Sequence, residues 1–185
     1  ILLLPGFGSR GVEGKVRSSK YARDTNTPFL GICLGLQCAV IDYARNVCVL
    51  TDANSTEFNK KTKHAVIDLM ESQKAIKIKG GTMRLGAYDC DILPGTKIFK
   101  AYRKDKISER HRHRFEVNNK YKKILEKNGL TFSGVNSDLG VVEAVEISDH
   151  PWYVASQFHP ELKSRVNKAH PLFRDFIKAT IKNKS

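Results

Sequence analysis

The sequence predicts an α/β domain: a three-layer αβα sandwich around a largely parallel sheet, carrying a nucleophile elbow. Three observations lead there. Strand and helix patterns alternate over the first 45 residues, as in βαβ units. The pentapeptide Gly31-Ile32-Cys33-Leu34-Gly35 sits between an apolar run and a helical pattern, which reads as strand, sharp turn and helix with a thiol at the apex. A late strand series then runs through Trp152 and Phe158 into His159-Pro160-Glu161.

Residues 1–4 form an apolar strand ending in Pro5-Gly6-Phe7-Gly8. Residues 12–26 read as a helix, with Val16, Lys20 and Arg23 at helical spacing. The next strand is 28–32, followed by the elbow and a helix over 36–45. Strands are expected at 65–70 and 82–87, and residues 115–118 lead into a helix over 120–128 that is stopped by Gly129. Further strands fall at 130–135, 141–147 and 152–158. Pro171 opens a last helix with Leu172, Phe173, Phe176, Ile177 and Ile181 on one face.

The 185 residues suffice for one domain with a sizeable core, and 41% hydrophobic with 28% charged content reads as globular. No apolar run approaches a membrane span and no signal peptide is visible, so a cytoplasmic protein without membrane contact is expected. Opening directly on a strand suggests an N-terminally truncated piece of a longer chain. The four cysteines make no CxxC pair and no zinc spacing, which reads as reduced thiols and no metal. The net charge of +13 is spread over scattered lysines without interleaved aromatics, so no nucleic-acid partner is expected.

A thiol nucleophile needs a base and a group to orient it. Glycines on either side of Cys33 allow tight packing around a strained residue, and the helix behind it favours thiolate. Among six histidines, His159 ends a strong strand beside an acid. Proline between His159 and Glu161 holds the backbone extended, so that Glu161 reaches one ring nitrogen and the other faces Cys33. That is a Cys–His–Glu triad. An oxyanion hole is expected from the Leu34 backbone N–H and from the turn at Gly6.

The segment from Gly31 to Gln37 and Phe158-His159-Pro160-Glu161 together resemble the class I glutamine amidotransferases. The segments 53–58 (ANSTEF), 80–86 (GGTMRLG) and 109–118 (ERHRHRFEVN) look like the glutaminase domains of the CTP synthase family, nearly end to end. The resemblance implies that Cys33 attacks the side-chain amide of L-glutamine, His159 shuttles the proton and Glu161 orients it. It implies Gly6 and Leu34 at the oxyanion, and glutamine contacts from Gly6, Leu34, Gly35, Leu36, Gln37, Glu57 and Arg114. A zwitterionic substrate needs one fixed anion and one fixed cation, and Glu57 and Arg114 suit those roles. From the residues alone, Glu57 also reads as part of a turn cluster, and 110–114 as an exposed basic strand with its arginines on one side and His111 and His113 on the other.

The resemblance further implies an absent synthetase domain that binds ATP, UTP and magnesium, with GTP as activator and a homotetrameric full-length enzyme. No cofactor is expected in this domain itself. The turn at Gly6 has one glycine fewer than the family's, and the segment between Ile76 and Gly80, where the family carries a lid, is short. The competing readings are another cysteine hydrolase or amidotransferase of the same fold, and a basic binding module without catalysis.

Overall fold

A computed structural model describes residues 1–69 and 83–183. Strand β1 (Leu2–Leu3), helix α1 (Val12–Asp24), strand β2 (Phe29–Ile32) and helix α2 (Leu34–Asn46) follow in the predicted order, with α2 starting two residues early, directly behind Cys33. Short strands β3 (Asn54–Ser55) and β4 (Ala65–Leu69) come next, then β5 (Arg84–Ile92) and the unanticipated helix α3 (Lys97–Tyr102). Strands β6 (Lys106–His113) and β7 (Phe115–Val117) lead through a 3-10 turn to α4 (Lys122–Lys127), where Gly129 at φ 100° ends the helix. Strands β8 (Leu130–Asn136), β9 (Val141–Ile147) and β10 (Tyr153–Ser156) precede helix α5 (Pro171–Lys182). The expected strand ends at Met70 and Thr82, the Gly80–Gly81 motif and the short segment after Ile76 lie outside the described residues.

The expectation of a largely parallel sheet needs correction. The main sheet has the order β1-β2-β10-β9-β8-β5-β6, and its pairings are parallel only across β1, β2 and β10. From β10 outward each pairing is antiparallel. The reason is connection length: β8, β9 and β10 follow one another across turns too short for the crossover that parallel neighbours need. A second sheet, β3-β4-β7, lies beside it.

Alternation along β2 and β10 sends side chains to two cores. Phe29, Tyr153 and Ala155 join α1, α2 and the small sheet. Leu30, Ile32 and Val154 join α3 and α5. Helices thus flank both faces of the parallel end, the layering the sequence implied. Phe29 and Tyr153 stack at 4.4 Å between ring centres, and buried Asp42 on α2 takes two hydrogen bonds from Arg23 on α1, both at 3.2 Å. Of the apolar face of α5, Leu172 and Phe176 are buried while Ile177 and Ile181 are exposed.

Candidate active site

The elbow is built by close backbone approach. A Cβ on Gly31 would lie 2.8 Å from the Gly35 carbonyl carbon, and one on Gly35 only 2.6 Å from the Leu3 carbonyl oxygen. Glycine at both positions lets α2 spring from the end of β2 against β1. Cys33 between them sits at φ 53°, a region that side-chain-bearing residues avoid, and its backbone N–H donates to the Ser156 carbonyl at 2.7 Å. The end of β2 is thereby tied to the end of β10, three residues before His159.

The extended geometry expected across Pro160 is not what forms. Pro160–Leu162 is a 3-10 turn, since proline suits the first position of a helical turn. The turn curls Glu161 back, and the Nδ1–H of His159 donates to its Oε1 at 2.6 Å. The backbone N–H of His159 is held by the Arg110 carbonyl on β6 at 2.8 Å. With Nδ1 carrying the proton, Nε2 presents a lone pair, and it is buried without a hydrogen-bond partner. Burial pushes the Glu161 carboxyl up, but hydrogen bonds from His159 and from its own backbone outweigh this, and its net shift is downward.

The Cys33 thiol is 2% exposed. Burial pushes it up to about 12; the Leu34 backbone N–H opposes the rise, and the charges of Glu161, Glu116 and Glu57 add to it. Burial and the surrounding carboxylates thus work against the thiolate that the helix N-terminus favours.

A small cavity of about 20 Å³ is lined by Gly6, Phe7, Cys33, Gln37, Glu57, His113, Arg114 and Phe115. It brings Gly6, Cys33, Gln37, Glu57 and Arg114 together from four separated stretches. Leu34, Gly35 and Leu36 are not in its lining: Leu34 and Leu36 join the core and Gly35 abuts Leu3. Glu57 Oε1 accepts from the Gly8 N–H at 2.9 Å, which ties the glycine turn to the acid. Arg114 breaks the expected alternation: it follows β6 in the break before β7 and is half-buried, while Arg110 and Arg112 stay exposed.

Behind the cavity lies a polar network that sequence reasoning missed. Arg84, 4% exposed, bridges Glu116 at 3.0 Å and Glu143 at 2.7 Å. His111 and His113 hydrogen-bond each other at 2.8 Å, and burial together with the Arg84 charge pushes them down to about 2 and about 3. Gln157 was also missed; its Nε2 lies 3.7 Å from the Cys33 sulfur. The available signal was its place two residues before His159 in an extended strand.

An elbow thiol beside a small cavity and a carboxylate-oriented histidine define the class, and the family model described as glutamine amidotransferase class-I matches residues 1–179. The chain belongs to that family. Within it, the chain is similar to CTP synthases: it is 59% identical over 179 residues to the CTP synthase of Chlorobium phaeobacteroides and 60% identical to that of Prosthecochloris aestuarii, covering 97% of this chain in each case. It spans 32% of the length of those relatives. The solved glutaminase domain of Trypanosoma brucei CTPS, with bound acivicin, superposes with a TM-score of 0.92 at 40% identity, over 98% of this chain and 70% of that one. A glutamine amidotransferase from Thermotoga maritima shares the fold alone, with a TM-score of 0.56 at 14% identity.

Proposed function

We propose that this chain is a glutaminase unit that hydrolyses L-glutamine to glutamate and ammonia, using Cys33, His159 and Glu161. The observation that carries the reading is the cavity: one small space bounded by the strained Cys33, an acid (Glu57) and a base (Arg114). A free amino acid needs such a pair at its two ends, whereas a peptide substrate does not.

The steps follow from the protons. His159 Nε2, with its lone pair free, takes the thiol proton while Glu161 steadies the imidazolium. The sulfur attacks the amide carbon of glutamine. The Leu34 N–H, with the turn at Gly6, meets the oxyanion that develops. His159 then protonates departing ammonia, leaving a glutamyl thioester on Cys33. It next takes a proton from water, whose attack releases glutamate and restores the thiol. Glu57 would hold the α-amino group and Arg114 the α-carboxylate, with Gln37 beside the rest of the substrate. A cavity of about 20 Å³ has room for a single water. Glutamine must therefore displace a wall, and the turn carrying Phe7, tied through Gly8 to Glu57, is the wall whose release also frees that acid.

Residues 1–185 constitute one glutamine amidotransferase domain on this reading. It serves a synthetase domain of a longer CTP synthase that binds ATP, UTP and magnesium, aminates UTP with the ammonia, responds to GTP and assembles as a homotetramer in the cytoplasm, without nucleic-acid or membrane partners. No described helix is long and apolar enough to cross a membrane.

The test is Cys33→Ala. Ammonia release from glutamine should vanish while the circular dichroism spectrum and melting persist, and a glutamine-analogue electrophile should label Cys33 and spare Cys38, Cys48 and Cys90. Undiminished ammonia release from that variant would refute the reading.

A further inference from the structure

Gln157 is fully buried, and the direction of its carboxamide can be worked out from its neighbours. The Phe115 carbonyl can only accept, so the Gln37 atom 3.1 Å from it is the amide nitrogen Nε2. The same nitrogen lies 3.5 Å from the Gln157 side chain and must meet its oxygen. The nitrogen of Gln157 is thereby turned toward Cys33 and donates to Sγ at 3.7 Å. One backbone carbonyl on β7 thus fixes two amides in series and aims an N–H at the sulfur. The Gln157 backbone is held as well, its N–H donating to the Glu143 carbonyl at 2.8 Å.

We infer that Gln157 is a further catalytic residue: its side-chain N–H stabilises the thiolate of Cys33 and holds the sulfur with its proton turned away from Gln157, free for a base. The inference rests on the reading of Cys33 as nucleophile. The sulfur gains no other charge-stabilising help from the carboxylates around it, because Glu57, Glu116 and Glu161 all disfavour the thiolate, as burial does. Against that field, the Leu34 N–H and the Gln157 amide are the donors that face the sulfur among the described residues. Gln37 couples the device to substrate. Its side chain lines the cavity and also orients Gln157, so an occupant pressing on Gln37 is felt at the nucleophile.

The experiment replaces Gln157 by Met, which keeps the volume and removes the donor. The readout is the rate of iodoacetamide alkylation at Cys33, measured at that residue by mass spectrometry, beside glutamine turnover. Loss of a charge-assisted hydrogen bond should make the thiol about one pH unit less acidic, or about tenfold less ionised. The more basic thiolate is more nucleophilic, so alkylation at fixed pH should slow by only about threefold. For glutamine, kcat should fall about tenfold with KM changed by less than about twofold, since a donor to the sulfur acts on chemistry and not on substrate capture. Gln157→Glu is the second variant, of equal size. It should alkylate more slowly still when its carboxyl is ionised and recover toward the wild-type rate when acidified. Wild-type alkylation and kcat in either folded variant would overturn the inference. A wild-type chain that alkylates faster than Gln157→Met yet never hydrolyses glutamine would leave Gln157 as a thiolate donor and remove the proposed function instead.

Discussion

Gly35→Ala is the sharpest perturbation the elbow offers. A Cβ there would stand 2.6 Å from the Leu3 carbonyl oxygen and 3.1 Å from the Leu3 Cβ, where ordinary contact begins at 3.4 Å. Strand β1 must retreat by about 0.8 Å to relieve it, and backbone cannot swing aside as a side chain does. Overpacking of this kind costs about 3 kcal/mol at the upper end of its range. Alanine returns about 1 kcal/mol of helix propensity, because Gly35 lies in the first turn of α2. The net loss is about 2 kcal/mol, which for a chain of this length lowers the melting temperature by about 4–8 °C. Activity should suffer more than stability. Strand β1 runs straight into the turn at Gly6 that walls the cavity, and a displacement of about 1 Å at a reacting site costs up to about a hundredfold. Gly14→Ala is the matched control: it is helical, and nothing lies within 4 Å of its would-be Cβ, so it should stabilise by up to about 1 kcal/mol. Thermal melts by circular dichroism and ammonia release decide. A Gly35→Ala protein that melts within about 1 °C of wild type and turns over normally would refute the account of the elbow as a steric construction.

The buried network makes two further predictions. Arg84→Met leaves Glu116 and Glu143 buried without their shared cation, at a loss of about 3–5 kcal/mol in denaturant titration; an unshifted unfolding midpoint would show that the bridge is not made. Glu116→Gln tests the charge state. Burial pushes the Glu116 carboxyl up to about 8, against the pull of Arg84 and with the push of Glu143. A carboxyl whose folded pKa is raised binds a proton that the unfolded chain has already released. Its contribution to stability therefore declines as pH rises from the unfolded value near 4.5 to about 8, and then levels off. Wild type should lose melting temperature relative to Glu116→Gln across that window, and parallel curves would contradict the raised carboxyl.

Local signals carried the elbow and the β1-α1-β2-α2 start of the fold because both are written in contiguous residues. Gly31, Cys33 and Gly35 announce a turn, and the helical pattern behind them announces what it feeds. The antiparallel end was harder. Strands β8, β9 and β10 are each legible, but nothing in an apolar run states the direction of its neighbour; only the shortness of the intervening turns does. Helix α3 escaped notice because six residues with two buried positions, Ile98 and Ala101, show barely one period. The polar network was illegible for a different reason. Arg84, Glu116 and Glu143 look like ordinary surface charges, and they become buried partners only when β5, β7 and β9 are assembled. The alternation of β6 did separate its exposed arginines from buried His111 and His113, yet it could not say that Arg114 leaves the strand and turns toward Cys33.

Two unfavourable features stand within a few residues of one junction. Cys33 holds a positive φ, at about 1–3 kcal/mol, and His159 keeps a buried nitrogen unpartnered, at about 1–3 kcal/mol more. Neither would persist on a loop. Both hang from the ends of β2 and β10, whose parallel pairing runs from Tyr153 and Phe29 to Ser156 and Ile32 and is buried at every position. The bond from Cys33 N–H to Ser156 extends that ladder into the strained residue itself, and the bond from His159 N–H to Arg110 fixes the other side. A pairing that is buried throughout thus ends in two residues held in costly arrangements. Packing alone gives no reason for that coincidence; a thiol and a base that must be held apart from other partners, and ready for each other, does.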